Sequence, residues 1–178
     1  MATQKWNADV THSELQFKVK HLMISKVTGS FTDFSIEAEA EDDDFTNANI
    51  NVKVQLASVA TGQNDRDTHL KSADFFDVES HPTMDFKSSS FEKKGDDQYL
   101  LKGDLTIKGI TKPVEFKLEY GGSAVDPWGN TKAAFSIDGA ISRKDWGLTY
   151  NAPLEAGGVM ISDEVKILGE FQLVRSAE

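Results

Sequence analysis

Asp65, Arg66, Asp67, His69 and His81 fall within residues 61–82, TGQNDRDTHLKSADFFDVESHP, beside apolar Leu70, Phe75 and Phe76. Carboxylate and imidazole together can do general acid–base work, and an arginine fork suits phosphate or carboxylate. Each chemistry needs further partners. The chain has no cysteine, hence no thiolate nucleophile and no thiolate zinc site. No G-x-S-x-G elbow occurs, and residues 103–109 are followed by no helical pattern that would make them a phosphate loop. His12, His21, His69 and His81 lack the i, i+4 spacing of a helical metal pair, so no metal or cofactor is expected. Two readings of the cluster stay open: an internal latch, or a clamp for a ligand's head group. An enzyme working at a rim site around Asp65, Arg66 and His69 is the alternative function.

The same residues spell a short helix within 64–76. Asn64 or Asp65 suits the N-cap, and Asp67 in the first turn complements the helix dipole. Helical spacing gathers Arg66, His69, Leu70 and Ala73 on an inward face. Asp67 and Lys71 then form an exposed i, i+4 pair, and Asp65 is placed to orient His69. A buried Arg66 needs acceptors, because an unpaired buried charge is costly.

Around this helix the chain alternates with the period of sheet. Leu15, Phe17, Val19 and His21 are interleaved with Glu14, Gln16, Lys18 and Lys20, and Ile50, Val52 and Val54 with Asn51, Lys53 and Gln55. Similar runs begin at Phe34, Met84, Tyr99, Val114, Ala133 and Val165. Turn residues separate them at 94–97, Gly121-Gly122 and Gly157-Gly158, while the acidic run 39–44 reads as a solvated hairpin tip. Long strands with one apolar face and only one short helix to cover it are best buried by closing the sheet. The prediction is an all-β, antiparallel, up-and-down barrel of about eight strands in one domain, residues 1–178. Glycines at 103, 139 and 169 mark bends or tight approach inside it.

The formal net charge of -10 argues against nucleic acid and anionic membrane surfaces. No apolar run approaches the roughly 20 residues that span a bilayer. The start, MATQKWNADV, has no signal-peptide pattern, so the chain as written reads as cytoplasmic; removal of a signal would make it periplasmic.

A barrel of this size holds either packed side chains or one small ligand, and the inward glycines favour a cavity. The predicted lining takes Phe17, Val19 and His21 from the first strand, Phe34 and Ile36 from the next, then Ile50, Val52 and Val54. Leu70, Phe75 and Phe76 come from the helical segment, and Met84, Phe86, Leu101, Leu105, Phe116, Phe135 and Ile137 from later strands. Trp146 and Arg143 close the barrel rim or contact the ligand, and Arg143 joins Arg66 and His69 as head-group contact or latch. So apolar a set fits a long-chain amphiphile, an isoprenoid or fatty lipid, bound without turnover. The other alternative is a filled-core stress or interaction module. A homodimer is compatible with either.

An ordered set of motifs covers nearly the whole chain. It comprises Trp6 through His12-Ser13 with Phe17 and His21, Gly29-Ser30-Phe31, Thr61 with residues 65–70, Phe75-Phe76, and His81-Pro82 with Phe86. It continues through residues 103–109, Pro113-Val114, Arg143 with Trp146-Gly147, and residues 162–165. In these the chain resembles the YceI-like family of bacterial lipid-binding barrels. The resemblance implies a lipocalin-like barrel whose elongated, largely apolar pocket holds a polyisoprenoid or similar amphiphile for binding, storage or transport. It also implies export to the periplasm, from which the missing signal departs.

Overall fold

A computed structural model describes residues 4–21, 25–41, 45, 48–148 and 161–175. The described strands are β1 (Gln4–Ala8), β2 (Glu14–His21), β3 (Ser25–Phe31), β4 (Phe34–Ala40), β5 (Asn49–Gln55) and β6 (Val59–Ala60). After helix α1 (Asn64–Lys71) follow β7 (Thr83–Lys93), β8 (Gln98–Ile107), β9 (Ile110–Val125), β10 (Thr131–Ser142) and β11 (Ile161–Arg175).

Three staves of the barrel are broken in two. β1 and β2 both lie along β11, through Trp6↔Arg175 and Phe17↔Ile167, and are separated by the 3-10 turn Val10–His12. Asp9 caps that turn by accepting from the Thr11 amide. β4 pairs with β1 and β3 with β2, so these form the second stave; β5 and β6 form the third, bent at Leu56–Ser58. With β7 to β11 the sheet makes eight staves, every pairing antiparallel, and the β1–β11 pairing closes it. The expected barrel is the observed fold, and α1 is the single α-helix among the described residues. No described helix is long and apolar enough to cross a membrane.

Closure is uneven. β5 pairs with β7 through Gln55↔Thr83, but β6 pairs with β3, so the third and fourth staves part there. Residues 61–82, with α1, are the connection between the parted strands. At the far end an aromatic plug fills the lumen. Phe45 sits 4.9 Å from Trp6 and 5.0 Å from Phe135, and Phe91 stacks on Tyr99 at 4.8 Å between centroids.

The inward glycines serve the tight approach read from the sequence. A Cβ on Gly103 would stand 2.6 Å from the Phe86 ring, and one on Gly139 2.4 Å from that of Phe116. Rings folded over bare backbone lie along the wall and leave the lumen clear. Gly121-Gly122 is not the predicted turn. β9 runs through it to Val125, with a register shift opposite Ala134 and Phe135 and Gly122 at φ 104°. The glycines accommodate a bulge that lets one strand stay paired where its side chains change face. The turn at Gly157-Gly158 and residues 42–44 of the acidic run lie outside the described residues.

Candidate ligand-binding cavity

Among the described residues, two spaces lie within the lumen. An inner chamber of about 110 Å³ lies towards the aromatic plug. It is lined by Phe34, Ile36, Ile50, Val52, Val54, Phe86, Leu101, Leu105, Phe116, Phe135 and Ile137, all predicted lining residues. An outer chamber of about 410 Å³ lies against the helical segment, lined by Phe17, Val19, Leu70, Phe75 and Phe76 of the predicted set. Met84 borders both. Trp146 borders neither: it is 2% exposed, and its indole N–H donates to the Leu105 carbonyl at 2.9 Å. The side chain of His21 lies outside the described residues.

Several lining residues escaped the prediction. Leu15, Leu118, Ile167, Phe171 and Leu173 line the inner chamber and carry the same alternation signal as their chosen neighbours. Val27 and Phe31 face the outer chamber from β3. Alternation through Val27, Gly29 and Phe31 was the available signal there. Phe45 lines the inner chamber from a non-periodic segment and carried none.

The polar groups gather at the outer chamber, which Gln63, Asp65, Arg66, His69 and Arg143 line. Thr61 organises the first of them. Arg66 donates from Nε to the Thr61 hydroxyl at 2.7 Å and from Nη2 to its carbonyl at 2.8 Å. That hydroxyl donates in turn to Asp67 Oδ1 at 2.6 Å, and the Thr61 amide reaches the same oxygen at 2.9 Å. Asp67 therefore folds back on the chain entering the helix rather than forming the predicted pair with Lys71. The hydroxyl brings opposite charges close to one another at a half-buried site.

The helix itself differs in three details. Its cap is Gln63, which makes no side-chain capping bond, and Asn64 is already helical. Asp67 instead ties the helix to the segment before it, through the amide and hydroxyl of Thr61. The helix ends at Lys71, so Ala73 lies in the following turn and is exposed. His69 is oriented by Asp74, not Asp65: Nε2 lies 2.8 Å from Asp74 Oδ2, and the ring meets Phe75 edge-on at 5.0 Å. Asp65 is exposed, on the edge of the chamber.

Arg143, 4% exposed, opens the 3-10 turn Arg143–Trp146 on the opposite side. Its guanidinium donates to the carbonyls of Ser162 at 2.8 Å, Ile161 at 3.3 Å and Leu148. Burial pushes its pKa down and nearby Asp163 opposes the shift. Carbonyl dipoles thus replace the water lost by this cation. Among the described residues no three His, Asp or Glu side chains converge as a metal site. The arrangement offers a long apolar volume with cationic and hydrogen-bonding groups at one end.

The YceI-like domain model matches residues 6–173. A UPF0312 protein of Staphylococcus epidermidis is 37% identical over 163 residues, 91% of this chain and 92% of that protein. Among solved structures, a Campylobacter jejuni YceI protein is 32% identical, with a TM-score of 0.74 and 96% of both chains covered. A polyisoprenoid binding domain from Saccharophagus degradans, implicated in plant cell wall breakdown, shares the fold at 16% identity, with a TM-score of 0.66 and coverage of 97% of this chain and 98% of that one.

Proposed function

The chain belongs to the YceI-like family, and from that premise we propose that it binds a long-chain amphiphile, a polyisoprenoid or fatty lipid, for storage or transport without turnover. The observation that carries this reading is the division of the lumen. An apolar lining extends from the aromatic plug to the helical segment, and among the described residues polar groups border only the outer chamber. The outer volume of about 410 Å³ falls within the usual range of small-molecule sites, about 300–1,000 Å³. Each CH₂ withdrawn from water contributes about 0.8 kcal/mol before the cost of ordering the tail, so a long tail binds well with few polar contacts. The polyisoprenoid binding of the Saccharophagus domain, which has the same fold, supports an isoprenoid tail.

At the outer chamber Arg66 takes the lipid's polar end while remaining anchored to Thr61. Arg143 is held by carbonyls and shapes the wall. Native mass spectrometry of protein purified without detergent tests the carrier reading. A co-purifying mass that organic extraction removes, and that a long-chain lipid restores, is expected. Protein that carries no such mass and takes up no prenol or fatty acid overturns it.

A further inference from the structure

The carrier reading leaves open how far the tail penetrates, and the lining answers it. Among the described residues only Leu15, Met84 and Ile167 border both chambers. Leu15 and Ile167 stand on adjacent strands, where Phe17↔Ile167 and Leu15↔Gly169 are paired. Met84 stands on β7, opposite Val54. In the ring of eight staves β7 lies across the lumen from β2 and β11. The three side chains therefore narrow the passage from opposite walls.

The inner chamber differs in kind from the outer one. At about 110 Å³ it is too small for a whole amphiphile, and among the described residues its lining has only apolar side chains. Water needs two to four polar partners, which such a lining does not offer, whereas apolar cavities of about 150 Å³ take up small hydrocarbons. Its size and chemistry suit the last segment of a hydrocarbon tail.

Resting on the carrier reading, we propose that Met84, with Leu15 and Ile167, forms a tail gate and that the inner chamber behind it sets the preferred chain length. Met84 is the movable member. It is only half-buried, and its unbranched side chain has three rotatable bonds with which to admit a tail. Leu15 and Ile167 have shorter, branched side chains with fewer rotatable bonds. A short tail ends at the gate, whereas a longer one passes it and gains the contacts of the inner wall.

The test measures the affinity of delipidated full-length protein for prenols of increasing length, from farnesol through geranylgeraniol to solanesol. Affinity is expected to rise with length, by about tenfold for each isoprene unit seated and to a plateau when the inner chamber is full. Met84→Phe narrows the gate, and Ala38→Leu fills the inner chamber from a position that does not border the outer one. Both should lower the solanesol-to-farnesol affinity ratio by tenfold or more. Met84→Ala should move the gate the other way and raise that ratio, which keeps the test decisive if an enlarged side chain prevents folding. Ratios unchanged in the folded variants overturn the gate. Wild-type affinity independent of length also overturns the gate, but leaves the carrier reading standing. Wild-type protein that binds no prenol and no fatty acid overturns both.

Discussion

The Thr61 hydroxyl does two jobs, accepting from Arg66 Nε and donating to Asp67 Oδ1. Its removal leaves a guanidinium and a carboxylate each short of a partner, half-buried at the edge of the cavity. Thr61→Val should therefore cost about 1–3 kcal/mol, the usual penalty for abandoned buried polar groups, read as a lower urea midpoint. Thr61→Ser keeps the hydroxyl and should recover most of the loss; equal loss in both variants would show that the methyl group, not the hydroxyl, matters. Arg66→Leu addresses the head group. If Arg66 grips an anion, prenyl phosphates should lose tenfold or more in affinity relative to prenols of equal length, the scale of one charge-assisted hydrogen bond. Equal losses would leave Arg66 only its anchor on Thr61. Gly29 acts through space instead. A Cβ there would stand 2.2 Å from Phe17 Cζ, and all three of its nearest neighbours belong to that ring. Gly29→Ala should swing the ring into the outer chamber and reduce the bound lipid per molecule in native mass spectra; an unchanged load with an unfolded-state cost would show that the strand moved instead.

Broken staves give the elements their own electrostatic dependence. The turn between β1 and β2 is held by Asp9, whose carboxylate lies well below the usual range because it accepts from the Thr11 hydroxyl, then meets His12 and Lys132. A carboxyl with a lowered folded pKa binds its proton more weakly in the native state. Its stabilisation is present above the unfolded value of about 3.9 and is lost as pH falls towards the folded value. Wild type and Asp9→Asn should differ in stability near neutrality and converge as pH falls below about 4; a gap that persists undiminished to the lowest workable pH would contradict the assignment. Such seams mark the limit of what the chain discloses locally. Alternation along Ile50, Val52 and Val54 or Leu101 and Leu105 announces the staves and their inner faces. The breaks at Asp9 and Leu56–Ser58 depend on which strands lie alongside, and no periodicity encodes that. Gly121-Gly122 has turn composition but meets a partner strand that absorbs it as a bulge. Arg66, His69 and Leu70 show their shared face through helical spacing, whereas their partners Thr61 and Asp74 lie outside the helix. Phe45 reaches the core from outside the described strands and leaves no pattern.

At the scale of the molecule, closure through β1 and β11 makes the lumen a fixed container. A lipid seated there touches most staves of the barrel at once: the two chambers draw side chains from β2, β3, β4, β5, β7, β8, β9, β10 and β11. Because unfolding separates these strands, the lipid contacts exist only in the folded state, and binding is linked to folding as a whole rather than to one loop. Ligand held at a free concentration of a hundred times its Kd should add ~2.7 kcal/mol to the unfolding free energy. For a domain of this size that corresponds to a rise of about 5–10 °C in thermal midpoint. Protein stripped by organic extraction and refolded should therefore melt lower than the same preparation with solanesol restored, by an amount that grows with the logarithm of free solanesol. The dependence on tail length carries the sharper information. Farnesol, confined to the outer chamber, should give a smaller rise at the same free concentration than solanesol, which spans both chambers, and Ala38→Leu should reduce the solanesol shift towards the farnesol value. Equal shifts from both prenols would place all of the binding energy in the outer chamber and remove the inner one from ligand selection.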